Sequence, residues 1–304
     1  MIIRIATRQS ALALWQAEHV AARLRSLDGI DDVELLPMTT RGDRVLDRSL
    51  QKIGGKGLFI KELEMAIAEG RADIAVHSMK DVPADMPAGF RLAVLLPRGN
   101  PLDALVSPAG YSIETLPPQA RVGSSSLRRR AQLLALRADV AIEPLRGNVN
   151  TRLAKLDQGA YDAIVLACAG LERLGLADRI GSTLSPREML PAAAQGVIGI
   201  ECREDAEDLQ GLLTALDDPD ARATTAAERA VSRRLEASCQ SPVASYATLD
   251  GDRLHLTALV ASHDGRRMLC ESASGTRGDA DALGASLAGR LLDRGAGEFL
   301  AAGD

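Results

Sequence analysis

For its first two hundred residues the chain alternates short apolar runs with longer stretches of helical periodicity. Residues 2–6 form one apolar run. It leads into a helix over about 10–27, where Leu12, Ala13, Trp15, Ala17, Val20, Ala21 and Leu24 make a dense apolar stripe. Runs at 33–38, 74–76, 91–96, 120–122, 140–145, 163–167 and 197–202 predict further strands, with helices over 57–69, 127–136 and 151–158 between them. Such alternation argues for α/β units with mostly parallel sheets covered on both faces. After a helix over about 222–236 the pattern changes. Strands at 243–249, 254–262 and 267–274 are separated by Asp250-Gly251 and Asp264-Gly265, both hairpin signals, and a last helix covers about 279–294. Proline and glycine bracket residues 97–101, and Pro191-Ala192-Ala193-Ala194-Gln195-Gly196 reads as a second hinge. The expectation is two α/β lobes with a cleft, residues 1–96 with 197–215 and residues 102–190, followed by a small α+β domain over 219–304.

Composition narrows the class. The chain has 304 residues, 46% hydrophobic, with a net charge of -5 and only 2% aromatic residues, which argues against a nucleic-acid surface. No run is long enough to cross a membrane, and Arg4 and Arg8 interrupt the apolar start too soon for a secretory signal. A cytoplasmic protein is expected. Cys168, Cys202, Cys239 and Cys270 are scattered without a paired motif and the four His residues do not cluster, so neither a metal site nor a disulfide framework is indicated. Three of the cysteines lie in or beside apolar strands, where free Cys is normally inert packing; Cys239 lies in a polar loop, which suits an accessible, modifiable thiol as well as an ordinary one.

The candidate chemistry gathers at strand ends. Asp73-Ile74-Ala75-Val76-His77-Ser78-Met79-Lys80-Asp81-Val82-Pro83 runs from an apolar strand straight into a polar loop, placing Lys80 and Asp81 where parallel sheets usually hold ligands. The plain alternative is that Asp81, shortly before Pro83, only shapes a turn. Arg8 stands beside the helix that opens at Ser10, where free N–H groups and the helix dipole attract anions. Gly123-Ser124-Ser125-Ser126 precedes a helix whose first turn carries Arg128, Arg129 and Arg130, although acids are favoured there. Arg146 and Arg152 repeat the idea in the next unit. Between residues 121 and 152 seven Arg stand against two acids, Asp139 and Glu143, so the expected ligand is a polyanion held by many separate clamps. Only five of the 36 basic residues are Lys, and four of those (Lys52, Lys56, Lys61, Lys80) lie between 52 and 80; Lys52, Lys56 and Lys80 are placed near the ligand. Residues 39–57, long, charged and glycine-rich, suit a lid or a disordered loop. A non-catalytic polyanion receptor with the same lobes would need the arginines, but would have no use for an exposed Cys239 or for Asp81.

Seven motifs then stand in register along almost the whole chain: Arg4-Ile5-Ala6-Thr7-Arg8-Gln9-Ser10, Gly54-Gly55-Lys56-Gly57-Leu58-Phe59, His77-Ser78-Met79-Lys80-Asp81-Val82-Pro83, Ser125-Ser126-Leu127-Arg128-Arg129, Arg146-Gly147-Asn148-Val149, Gln195-Gly196 and Leu235-Glu236 with Cys239-Gln240. Together they resemble the hydroxymethylbilane synthase (porphobilinogen deaminase) family. The resemblance implies a transferase of porphyrin and heme biosynthesis that joins four porphobilinogen molecules head to tail with loss of ammonia. It further implies periplasmic-binding-protein-like lobes, a monomer, and a dipyrromethane cofactor attached covalently through Cys239. In that pattern Asp81 is catalytic, stabilising the cationic azafulvene left by the departing amine. Lys80, Ser126, Arg128, Arg129 and Arg146 bind the cofactor. Arg8, Ser10, Lys52, Phe59, Arg152, Arg173 and Gln195 serve the substrate, and residues 42–57 match the family's mobile loop. One departure is visible: Ala237-Ser238 stands where the family often has Gly-Gly before its cofactor cysteine.

Overall fold

The computed structural model describes residues 1–40, 60–238 and 240–301. In chain order the described strands are β1 (Ile2–Arg8), β2 (Asp32–Met38), β3 (Ile74–Ser78), β4 (Phe90–Leu95), β5 (Asp103–Val106), β6 (Arg121–Gly123), β7 (Ala141–Glu143), β8 (Ala163–Ala167), β9 (Ser182–Leu184), β10 (Ile198–Arg203), β11 (Val243–Asp250), β12 (Arg253–Ala261) and β13 (Met268–Thr276). The described helices are α1 (Ala11–Leu24), α2 (Lys61–Ala68), α3 (Leu127–Leu136), α4 (Val149–Asp157), α5 (Cys168–Arg173), α6 (Glu207–Leu213), α7 (Pro219–Arg234), α8 (Ala280–Asp293) and α9 (Ala296–Ala301). The chain forms two compact units, one of residues 1–98 and 197–222, the other of residues 99–196 and 223–304.

The first unit is built on a sheet of order β2-β1-β3-β10-β4. β1 pairs in parallel with β2 and β3, while β10 is antiparallel to both β3 and β4, so four strands share one direction and β10 runs against them. One face buries Ile3, Ile5, Ile74, Val76, Ile200 and Cys202 against Val20, Ala21 and Leu24 of α1. The other buries Ala6 and Ala75 against Leu63, Ala66 and Ile67 of α2. The strands read as unbroken apolar runs because both faces are covered.

The second unit repeats the order with a different segment inserted. Its sheet is β7-β6-β8-β5-β9, parallel across β7, β6 and β8, with β5 antiparallel to β8 and β9. In both sheets the reversed strand, β5 or β10, is the first one laid down after the chain passes from one unit to the other. β5 and β9, four and three residues long, are not among the runs expected from the sequence. An antiparallel three-stranded sheet, β11-β12-β13, packs on α7, α8 and α9 through Val231, Leu256, Val260, Leu287, Leu291 and Phe299. Gly251 (φ 59°) and Gly265 (φ 71°) take the left-handed backbone their hairpins require. This layer joins α3 through Ala131, Leu190, Ala244, Leu259 and Ala261.

One expectation changes. Cys270 is exposed rather than packed, because β13 is an edge strand whose residues alternate outward and Cys270 falls on the outward set; Cys168 and Cys202 are buried. The chain passes from one unit to the other just after Gly196, where the second hinge is expected, and the end of that segment is packed. Ala194, Gln195 and Gly196 are buried, and the Ala194 N–H donates to Oε2 of the fully buried Glu228 at 2.5 Å, whose Oε1 accepts from Ala247 N at 2.7 Å.

Candidate functional site

In the first unit, β1 and β3 are parallel neighbours, so Arg8 at the end of one and the residues after Ser78 at the end of the other leave the sheet at the same edge. Arg8 is half-buried, and Ser10 caps α1 with its hydroxyl accepting from Ala13 N at 3.4 Å. Lys80 and Asp81 do not sit in an open loop: Met79–Asp81 is a single 3₁₀ turn, closed by Val82 N donating to Met79 O at 3.2 Å. Its base is held from several sides. Met79 N donates to Val197 O at 3.0 Å, Ser78 Oγ accepts from Nε2 of buried Gln16 at 2.8 Å, and the Met79 side chain lies over Gly199. Met79 is buried, Lys80 half-buried and Asp81 exposed. An apolar anchor thus presents two polar neighbours to solvent.

In the second unit, β6, β7 and β8 are parallel, so the segments that follow them leave one edge together. Ser126 caps α3 by accepting from Arg129 N at 3.4 Å, and Asn148 caps α4 by accepting from Thr151 N at 2.9 Å. Gly147 (φ 113°) makes the turn before α4, and a side chain there would overlap Thr151. Arg146 and Arg152 are half-buried beside it. Arg152 Nε donates to Gly147 O at 2.8 Å, and Lys155 Nζ donates to Arg146 O at 3.3 Å. Arg173, at the end of α5, donates to Gly196 O at 2.6 Å, and burial pushes its guanidinium below the ordinary value.

Asp103, at the start of β5, is the residue that sequence reasoning passed over. It is fully buried and accepts from Arg128 Nη2 at 2.6 Å, Arg129 Nη2 at 2.7 Å and Gln195 Nε2 at 3.0 Å. Burial alone would push its carboxyl up, but the two guanidiniums override that and hold it well below the usual carboxylate range. The basic first turn of α3 therefore has its first counter-anion inside the protein. Arg128 Nη1 also donates to Leu190 O at 2.6 Å and Arg129 Nη1 to Val165 O at 2.8 Å, whereas the buried Arg129 Nε has no hydrogen-bond partner. The signal that could have exposed Asp103 is an acid opening the apolar run Ala104-Leu105-Val106 just after a hinge.

Arg128, Arg129, Gln195 and Asp103 are thus one buried cluster, and Arg173 joins it through Gly196. Arg146 and Arg152 share a turn, as do Lys80 and Asp81 in the other unit. Lys52, Lys56, Phe59, the loop over 42–57 and Cys239 lie outside the described residues. Among the described residues no group of three or more His, Cys, Asp or Glu could hold a metal ion, and no helix is long and apolar enough to cross a membrane.

A family model described as porphobilinogen deaminase, dipyromethane cofactor binding domain, matches residues 3–211, and one described as porphobilinogen deaminase, C-terminal domain, matches residues 223–293. The chain belongs to the porphobilinogen deaminase family. It is 55% identical over 300 residues to the porphobilinogen deaminase of Chromobacterium violaceum, covering 99% of this chain and 97% of that one. It is 56% identical over 298 residues to that of Stenotrophomonas maltophilia, covering 98% of each. A periplasmic VFT2 domain of Bordetella pertussis BvgS aligns with 70% of this chain and 85% of its own at 16% identity and a TM-score of 0.42, a likeness too distant to argue from. The family polymerises porphobilinogen to hydroxymethylbilane in tetrapyrrole biosynthesis and carries a dipyrromethane cofactor, and the chain is an enzyme of this class. The donor set suits such a group: guanidinium, ammonium and hydroxyl donors line the strand ends, and the unpartnered Arg129 Nε is a spare donor beside them.

Proposed function

We propose that the residues at the strand ends divide the family's reaction between them, with Asp81 as the catalytic carboxylate and the arginines as clamps for the acetate and propionate groups of the pyrroles. Lys80, Ser126, Arg128, Arg129 and Arg146 hold the cofactor, and Cys239 carries it covalently. When bound, the dipyrromethane supplies the anchor from which the chain grows. Arg8, Ser10, Lys52, Phe59, Arg152, Arg173 and Gln195 serve the incoming and growing pyrroles. Asp81, exposed on a turn whose neighbours are pinned, can face pyrrole N–H groups, stabilise the cation left when ammonia departs, and move the proton released at the attacking carbon. We further propose that residues 1–96 with 197–215, 102–190 and 219–304 act as three domains. The chain would work as a cytoplasmic monomer on a small molecule, with no nucleic-acid or membrane partner; the net charge of -5 supports the exclusion of nucleic acid.

The observation that carries this reading is the set of cationic and hydroxyl side chains following the carboxyl ends of β6, β7 and β8, which suits a polyanion such as a polycarboxylate. Arg146 and Arg152 test it best, since neither is ion-paired to Asp103. Losing one charged clamp costs about 1.5–3 kcal/mol, so the step it serves should slow roughly ten- to a hundredfold. Mass spectra of Arg146→Leu and Arg152→Leu incubated with porphobilinogen should show enzyme-bound intermediates stalled at different lengths. Wild-type distributions in both variants would refute the clamp roles.

A further inference from the structure

Behind the Lys80–Asp81 turn lies a buried polar cluster that the reaction as described does not use. His77 is 6% exposed, Glu201 is fully buried, and His77 Nε2 lies 2.7 Å from Glu201 Oε2. In the β3–β10 ladder His77 faces Gly199 and Ala75 faces Glu201, so by alternation the four share one face of the sheet, the face on which α2 packs. α2 brings a second carboxylate to that face, Glu64, 8% exposed. Oε1 of Glu64 and Oε1 of Glu201 are both buried without a hydrogen-bond partner. Two ionised carboxylates with unsatisfied oxygens in one dry place are costly, and the ordinary resolution is that one of them keeps its proton.

We propose that Glu64, Glu201 and His77 form a buried polar cluster in which Glu64 keeps its proton, and that this cluster positions the turn bearing Lys80 and Asp81. The part about the turn rests on Asp81 being the catalytic carboxylate; the proton on Glu64 does not. The titratable groups that act on Glu64 among the described residues are Glu201 on β10, His77 on β3 and Lys61 on α2 itself. Burial first, and Glu201 second, push the Glu64 carboxyl up from its ordinary value, against the smaller opposing effects of His77 and Lys61. The link to the turn is short. His77 is followed by Ser78, paired to Gln16, and by Met79, whose N–H is held by Val197 and whose side chain covers Gly199. A change in charge between β3 and β10 therefore acts on the two strands that fix the base of the turn.

The sign of the pH effect follows from linkage. A carboxyl raised in the folded state binds more protons there, so its contribution to stability is full below the unfolded value and falls as pH rises through the folded one. Glu64→Gln mimics the protonated acid and removes that fall. In the cofactor-loaded enzyme, the midpoint of Glu64→Gln relative to wild type should therefore rise as pH increases above the ordinary glutamate value of about 4.3, and an infrared band of a protonated carboxylic acid present in wild type should be missing. A pH-independent difference with no lost band would overturn the proton assignment. Glu201→Gln and His77→Gln should lower kcat about tenfold or more while KM stays within about threefold, because Asp81 is displaced and the clamps are not. If both variants fold, load cofactor and keep kcat within about twofold of wild type, the positioning role is wrong. Near-normal turnover by Asp81→Asn would instead sink the catalytic reading and leave the Glu64 result standing.

Discussion

Replacing Asp103 by Asn removes one charge and almost no volume, which makes it a clean probe of the arginine cluster. In the wild-type chain one buried carboxylate is shared by two buried guanidiniums, with N···O distances of 2.6 and 2.7 Å and with Arg128 and Arg129 only 5% and 6% exposed. Asparagine can still accept at one oxygen, but its amide nitrogen must face a cation. Deleting one partner of a buried ion pair costs about 3–5 kcal/mol, chiefly through the charge left uncompensated, and here two such charges are left. The upper part of that range is expected, lowering the thermal midpoint by on the order of 10 °C. The pH dependence sharpens the test. The Asp103 carboxyl is held well below its ordinary value, so the stability it contributes is present above the unfolded value of about 3.9 and is lost as pH falls toward the folded one. The gap between wild type and Asp103→Asn should thus be full at neutral pH and close as the protein is acidified below about pH 4. Calorimetry or circular dichroism melts across that range would measure it, with intact mass reporting cofactor loading alongside. A midpoint equal to wild type at neutral pH, or a gap that acid does not narrow, would refute the view that Asp103 is the counter-charge organising this cluster.

Asp81→Asn should keep the fold, since asparagine shapes the same turn, yet lose on the order of a thousandfold in porphobilinogen turnover, while Asp81→Glu retains more; equal turnover by the Asn variant and wild type would return Asp81 to a turn-former. Gly199→Ala places a methyl group into Met79 Sδ and should cost about 1–3 kcal/mol while disturbing the adjacent turn, so kcat should fall more than stability alone explains. Glu228→Ala leaves the Ala194 and Ala247 N–H groups without their acceptor in a buried site and should destabilise by about 2–5 kcal/mol, read as a lower denaturation midpoint.

Local pattern carried most of the strands, the longer helices and the two Asp-Gly hairpins, because covered parallel strands read as apolar runs and left-handed turns call for glycine. It carried the strand-end positions of Lys80, Asp81, Ser126 and Arg146 for the same reason. What escaped was set by tertiary pairing. Nothing local reveals that β5 and β10 run against their neighbours, since pairing direction is decided by distant strands. The basic first turn of α3 pointed to an anion, but the nearest one, Asp103, is supplied by a strand about 25 residues upstream. His77 and Glu201 are 124 residues apart in sequence and meet only across the β3–β10 ladder. Cys270 looked like core because its neighbours are apolar, yet an edge strand turns alternate residues to solvent.

The covalent cofactor can be read directly by weighing the purified protein. Intact mass spectrometry under denaturing conditions should find wild type heavier than its sequence by one dipyrromethane, with Cys239→Ser at the unmodified sequence mass and inactive. Wild-type protein that turns over porphobilinogen at full rate while showing only the mass of its 304 residues would contradict attachment through Cys239.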